Sequence, residues 1–242
     1  MEPGIGGDMI LHRWKARVGT MVVALGFVVS LAACGEPEKL PPDQIIEKAV
    51  PAIGGVNSFH FTLETSKLKK APPGIFITGV DGDVLKPDKL VGSVSATYSG
   101  IPVKINVVVD GESQFWTDPA SGRWAPMPTE LNMAEFFDPS KGLADILGNV
   151  KGLAGDGTEN IEGADTYRLK GSVPAQALKS LSAEVTATGD LTTTLWIGAS
   201  DFLLRRAQLQ GPVLSDEPAD IARTINIKDY NKQVKVETPV VK

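Results

Sequence analysis

Apolar and polar side chains alternate along much of the chain beyond residue 56, which is the pattern of strands that bury one face. The stretch 57–64 places Phe59, Phe61 and Leu63 on one side, and the stretch 101–109 alternates in the same way. Asp110-Gly111 then predicts a tight hairpin. We expect further strands over residues 90–98, 112–117, 157–161, 166–171, 183–197, 202–209 and 221–230.

Three other segments show the apolar spacing of helices. The first covers residues 43–50, with Asp43 in the N-cap position and a stop near Gly54. A second helix is predicted over residues 138–150, and a short third helix over residues 174–181. The second helix would present one apolar face, formed by Leu143, Ile146, Leu147 and Val150.

Several loop-forming segments superficially resemble ion or phosphate sites. Asp81-Gly82-Asp83 looks like the start of a calcium loop, but the glutamate at the twelfth position is missing, so a hairpin turn is favoured. The glycine-rich stretch 152–157 lacks the lysine and hydroxyl residue of a phosphate loop and predicts a turn. Asp216 and Glu217 lie beside a proline, and we expect both to be solvated.

The order of these elements is one helix, a series of strands, two helices and further strands. Hairpin-length connections favour antiparallel pairing, and strands that are segregated from helices favour an α+β fold. We therefore expect one large, curved antiparallel sheet, a half-barrel with helices packed on its concave face. Residues 44–242 are predicted to form this single domain.

The N-terminus has a different pattern from the rest of the chain. A basic stretch, His12 to Arg17, precedes an uncharged run of 16 apolar or small residues from Val18 to Ala33. This order of segments is typical of a secretory signal peptide. The alternative, an uncleaved anchor, is disfavoured because a membrane-spanning helix needs about 20 residues. We expect residues 1–33 to be a signal peptide.

The segment Leu31-Ala-Ala-Cys34-Gly35 is similar to a bacterial lipobox, in which the cysteine is acylated and becomes the first residue of the mature protein. Cys34 is the only cysteine in the sequence, so no internal disulfide can form. Two or more acyl chains would anchor the protein stably in a membrane. We expect residues 34–43 to be an acylated tether and the protein to lie on the extracytoplasmic face of the cell membrane.

Charge and motif content exclude several function classes. Residues 1–33 hold three of the 24 basic and two of the 29 acidic residues, so the remainder has a net charge of −6. A general nucleic-acid-binding protein needs a basic surface and is therefore disfavoured. The sequence has no G-x-S-x-G, H-E-x-x-H or C-x-x-C motif, and His60 is expected to face solvent. We expect no enzymatic activity, no cofactor and no metal.

Residues 137–147 read Phe-Asp-Pro-x-x-Gly-Leu-x-x-Ile-Leu, residues 160–169 read Asn-Ile-Glu-Gly-Ala-Asp-Thr-Tyr-Arg-Leu, and Leu-Trp-Ile stands at 195–197. In this order the three segments resemble the LppX/LprA/LprF/LprG family of mycobacterial lipoproteins, over about residues 60–230. The resemblance implies a half-barrel related to the LolA and LolB carriers, with an apolar cavity for the acyl chains of lipids or glycolipids. It transfers no catalytic residue to this chain.

Small residues dominate the predicted strands 90–98 and 183–194, and the residues alone leave two interpretations open. Such strands either face solvent or line a concave surface with unfilled volume, and the resemblance favours the second.

We expect a monomeric carrier that moves a lipid across the cell envelope and contacts a membrane transporter; a scaffold or lipid-sensing regulator on the same fold is the alternative. The expected cavity wall is Phe59, Phe61, Val94, Ala96, Ile105, Val107, Phe137, Leu143, Ile146 and Leu147.

Overall fold

The computed structural model describes residues 39–66, 75–98, 100–128, 143–180 and 185–241. Helix α1 spans Pro42–Gly54, helix α2 spans Leu143–Gly148, and a 3-10 helix spans Ala175–Ser180. The strands in these ranges are β1 Ser58–Ser66, β2 Ile75–Leu85, β3 Lys89–Tyr98, β4 Ile101–Asp110, β5 Ser113–Thr117, β6 Trp124–Pro126, β7 Lys151–Ile161, β8 Ala164–Pro174, β9 Asp190–Gly198, β10 Leu204–Gln210 and β11 Ala222–Lys228.

The described strands form one sheet of 11 strands in the order β6-β5-β4-β3-β2-β1-β11-β10-β9-β8-β7. Every neighbouring pair is antiparallel. The sheet is therefore two meanders, β1–β6 and β7–β11, joined where the first strand pairs with the last. This arrangement confirms the predicted α+β fold with one large antiparallel sheet.

Helix α1 covers one face of the sheet, which we call the inner face. Its apolar side chains Ile45, Ile46, Ala49 and Ile53 are buried in a first hydrophobic cluster that includes residues from both meanders. A second, smaller cluster includes residues of β8, β9, β10 and the 3-10 helix, such as Val173, Leu191, Leu209 and Leu178. Residues 36–242 form one compact unit, so this unit contains both described clusters in full.

The two ends of α1 are stabilised differently from the sequence-based expectation. Asp43 lies in the first turn, but the N-cap residue is Pro41 and no side chain caps the helix. Pro42 suits the first turn because its missing N–H would have no intrahelical partner there. At the other end the Lys86 ammonium donates to the carbonyl oxygens of Ile53 at 2.8 Å and Gly54 at 3.3 Å. Burial lowers the pKa of Lys86.

The prediction of a turn at Asp81-Gly82-Asp83 is wrong, because these residues lie in the middle of β2. Gly82 is directly opposite Gly92 of β3, and the two backbones approach so closely that a side chain at Gly92 would not fit. A Cβ atom on Gly92 would lie 2.6 Å from the carbonyl oxygen of Asp81 and 2.8 Å from Cα of Gly82. Gly82 therefore permits the close packing of β2 against β3 and does not mark a chain reversal.

The glycine-rich stretch 152–157 is also not a turn, because it lies within β7. Its pairing with β8 is interrupted by register shifts between Lys151 and Ala154 and between Gly155 and Thr158. Gly152 and Gly157 have positive φ angles of 62° and 89°, a conformation that glycine adopts without steric cost. The glycines permit β-bulges in a strand that continues.

The strand predicted over residues 183–197 begins only at Asp190. The N–H groups of Thr186 and Ala187 instead donate to the carbonyl oxygen of Val213, at 3.1 and 3.0 Å. Val185 and Ala187 are buried in the second cluster. Packing against a loop has replaced the strand pairing that the residue pattern favoured.

We predict that Gly92→Ala lowers the free energy of unfolding by about 2 kcal/mol, because the new methyl group would force the backbones of β2 and β3 apart. Urea unfolding would measure the change. Gly155→Ala is the control, since a Cβ there meets no atom within 4 Å, and it should change stability by less than about 0.5 kcal/mol. Equal free energies of unfolding for the two variants would contradict the close approach of the β2 and β3 backbones at Gly92.

Candidate functional site

Cross-strand pairing brings the apolar residues of successive strands together on the inner face. Phe61 is opposite Gly82, Val80 is opposite Val94, and Val94 is opposite Ile105. Residues directly opposite one another in an antiparallel pair share a face, so these side chains form a continuous apolar surface. The alternation predicted for β1 and β4 places their apolar side chains on this surface.

The structure places nine of the predicted wall residues, and Phe137 lies outside the described residues. Five belong to the first cluster: Phe59, Phe61, Ile105, Val107 and Leu147. Val94 and Leu143 are partly buried against that cluster. Ala96 is buried on the inner face opposite Val103, whereas Ile146 packs against the second cluster. The structure thus brings most of the predicted residues together, with Ile146 on a separate cluster.

The inner face is unevenly covered across strands β2, β3 and β4. At the end near α1, Val84 and Val109 are 0% exposed. At the opposite end Ile77 is 46%, Tyr98 56% and Ile101 66% exposed. All three occupy inner-face positions by register, since Ile77 is opposite Ala96 and Tyr98 is opposite Ile101. We call this end, with its exposed apolar side chains, the open end.

The small residues of the inner face do not all leave free volume. The ring of Phe61 lies over Gly82, where an added Cβ would be 3.4 Å from Cε1 of the ring. Phe61 also packs edge-on against Phe59, with ring centroids 6.3 Å apart. The space beside the glycine pair near α1 is therefore filled by an aromatic side chain.

The outer face carries a polar network around Trp196. The indole N–H donates to Glu159 at 2.8 Å, and the Arg206 guanidinium lies 5.5 Å from the ring centroid. Arg168 donates to both Glu159 and Asp156. The hydrogen bond from Trp196, followed by that from Arg168, lowers the pKa of Glu159. These groups bind one another, which indicates a structural role for the Leu-Trp-Ile segment.

A cleft of about 450 Å³ lies beside the β7–β8 and β9–β10 turns and the end of β11, and none of the predicted wall residues lines it. Several of its polar groups already have partners. Arg205 forms an ion pair with Asp201 and lies 5.2 Å from the ring centroid of Tyr230. The Tyr230 hydroxyl donates to the carbonyl oxygen of Leu204, and burial raises the pKa of Tyr230. The cleft differs from the predicted apolar cavity in place and in chemistry.

His60 lies on the outer face of β1, where its Nδ1 is 3.0 Å from the Asp83 carboxylate. In the described part of the chain, no group of three or more His, Cys, Asp or Glu residues is placed to hold a metal ion. No helix among those residues is long and apolar enough to cross a membrane.

Glu217, predicted to be solvated, is fully buried at its side chain. Its Oε2 accepts hydrogen bonds from the N–H groups of Val213 at 2.7 Å and Leu214 at 3.1 Å, and its Oε1 accepts one from Arg223 Nη2. The prediction failed because the partner of this loop acid comes from β11. The available signal was Arg223 itself, which interrupts the apolar alternation of Ile221, Ile225 and Ile227.

Residues 41–236 match the LppX_LprAFG lipoprotein family. This protein belongs to that family. The match covers most of the chain, including α1, both meanders and the loop that carries Glu217. The family resemblance stated from the sequence is thereby confirmed.

Individual LppX_LprAFG members extend the comparison. The lipoarabinomannan carrier protein LprG of Mycobacterium tuberculosis is 26% identical over 239 residues, which cover 93% of this chain and 95% of LprG. The crystal structure of LprF from Mycobacterium bovis superposes with a TM-score of 0.68 at 21% identity, covering 85% of this chain and 99% of LprF. The crystal structure of LppX from Mycobacterium tuberculosis gives a TM-score of 0.57 at 24% identity, covering 80% of this chain and 97% of LppX. The two structures show that the family shares this fold.

Proposed function

We propose that this protein is a membrane-anchored lipoprotein that binds the acyl chains of a lipid or glycolipid on its inner face and carries the lipid across the cell envelope. The observation that carries the proposal is the uneven covering of that face. Its apolar surface is sealed near α1 but ends in exposed Ile77, Tyr98 and Ile101. Contact with an acyl chain would remove this surface from water at a gain of about 25 cal/mol per Å².

The name of the LprG relatives, lipoarabinomannan carrier protein, supports a carrier function with a glycolipid cargo. In this proposal a chain of the lipid lies along Val94, Ala96 and Val103, between the sealed end and the open end. The protein acts as a monomer, catalyses no reaction and delivers its cargo to a membrane transporter.

Anchoring belongs to the same proposal. Residues 1–33 act as the export signal, Cys34 receives the acyl chains, residues 34–43 form the tether, and residues 44–242 form the lipid-binding domain. Acylation at Cys34 holds the domain at the extracytoplasmic membrane surface, close to the leaflet from which a lipid would be extracted.

Native mass spectrometry of residues 36–242, purified from a lipid-containing bacterial host, tests the carrier function. We expect a bound mass that organic extraction identifies as an acylated lipid, because the open end leaves apolar surface uncovered. A protein that is empty and also takes up no added lipid would contradict the carrier proposal. That result would favour the alternative of an envelope scaffold or regulator, which pull-down of one stoichiometric envelope protein would identify.

Replacing Ala96 with tryptophan should reduce the uptake of a fluorescent diacyl lipid at least tenfold, because the indole would occupy the space proposed for an acyl chain. Ser95→Trp is the matched control, since Ser95 is the exposed neighbour on the outer face. Both variants should retain the wild-type circular dichroism spectrum. Undiminished uptake by a folded Ala96→Trp protein would show that the lipid binds elsewhere.

Cys34→Ser should release the full-length protein from the membrane fraction, because a serine hydroxyl does not replace the thiol as the site of acylation. Fractionation of the host followed by immunoblotting measures the distribution. Cys34→Ala should behave in the same way. Membrane retention of both variants in a carbonate wash would contradict anchoring through Cys34.

A further inference from the structure

A charged side chain occupies an inner-face position that alternation reserves for apolar residues. Arg223 of β11 lies two residues before Ile225, opposite Leu209 of β10 and Thr65 of β1. Its side chain is 15% exposed, and its ion-pair partner Glu217 is 0% exposed. A largely buried arginine on a mainly apolar surface indicates a specific partner.

Glu217 accounts for only part of the hydrogen-bonding capacity of Arg223. Nη2 donates to Glu217, but Nη1 is buried and has no hydrogen-bond partner. Burial of an unpaired donor costs free energy that a protein usually avoids, so each such group requires an explanation. Nη1 is therefore an unsatisfied donor on the face where the acyl chains are proposed to lie.

Arg223 is located at the open end of the inner face. Its cross-strand neighbour Thr65 donates through Oγ1 to the carbonyl oxygen of Ile77, one of the exposed apolar residues. On the other side, Leu209 belongs to the second cluster. Arg223 thus lies between the buried side chains of the second cluster and the exposed side chains of Ile77, Tyr98 and Ile101.

The surroundings of Nη1 select the chemistry of its partner. The charges of Arg223 and Glu217 already balance, so an anionic phosphate or carboxylate would bring an additional uncompensated charge into a buried place. A hydroxyl group would bring a donor that needs a partner of its own. An ester carbonyl oxygen only accepts hydrogen bonds and carries no net charge, and it satisfies the free donor without either cost.

We propose that Nη1 of Arg223 donates to the ester carbonyl of a bound acyl lipid, an inference that rests on the proposed lipid-carrier function. The ester linkage fixes the orientation of the ligand. Its acyl chains extend from Arg223 along the inner face toward α1, and its head group lies outside the open end. The protein thereby distinguishes ester-linked lipids from ether-linked lipids with the same chains and head group.

Competition binding tests this inference with residues 36–242, the unit that contains both hydrophobic clusters. The two competitors are dipalmitoyl phosphatidylglycerol and the diether analogue with two hexadecyl chains, each displacing a diacyl lipid with a fluorescent chain. We expect the wild type to bind the ester about tenfold more tightly, because one charge-assisted hydrogen bond is lost with the ether. The double variant Arg223→Met/Glu217→Gln should bind the ester and the ether with equal affinity, namely the affinity that the wild type has for the ether.

The double substitution avoids leaving Glu217 as an unpaired buried charge, and the glutamine carbonyl can still accept the loop N–H groups. Arg168→Met/Glu159→Gln is the matched control, since it removes an ion pair from the outer face and should retain the tenfold preference. Equal binding of both competitors by the wild type would overturn the ester contact while leaving the carrier function intact. A tenfold preference for the ester that persists in the Arg223→Met/Glu217→Gln variant would also overturn the ester contact. Failure of the wild type to bind either lipid would overturn the carrier function and, with it, this inference.

Discussion

The pairing of β1 with β11 is the constraint on which the rest of the structure depends. It joins two meanders through partners such as Phe61 and Ile227, and among the described strands it is the only pairing between them. Ser66 and Ala222, at one end of this pairing, are 156 residues apart in the sequence. Only when these strands pair does α1 meet apolar side chains of both meanders, such as Val84 and Ile197, in one cluster. The continuous inner face is thus a consequence of one non-local contact.

Local residue pattern was sufficient for β1 and β4, two strands of the first meander. The alternation over 57–64 and 101–109 predicted the inner-face burial of Phe59 and Phe61 on β1 and of Ile105, Val107 and Val109 on β4, because a strand with one covered face has a period of two residues. Val108, on the other face of β4, is buried as well. Asp81-Gly82 was misassigned because glycine has two uses. Glycine permits chain reversal, and it also permits two strands to approach closely. Only the position of Gly92 on the neighbouring strand distinguishes the two uses.

The candidate site was predictable to the extent that it follows from strand alternation. Leu143 and Leu147 pack toward the first cluster, whereas Ile146 on the same short helix reaches the second. Helical spacing cannot reveal this separation, since it defines an apolar stripe but not what the stripe covers. The burial of Glu217 was missed for a related reason. Its burial depends on Arg223 and on the N–H groups of its own loop, whose arrangement exists only in the folded chain.

The bulges of β7 have a consequence for the behaviour of the protein in solution. Strand β7 is at one border of the described sheet, where backbone N–H and C=O groups lack a neighbouring strand. A regular border strand is a template for pairing with another chain and hence for aggregation. The two register shifts and the positive φ angles of Gly152 and Gly157 interrupt that template. Irregularity at this edge protects a wide, open sheet from adding strands of neighbouring molecules.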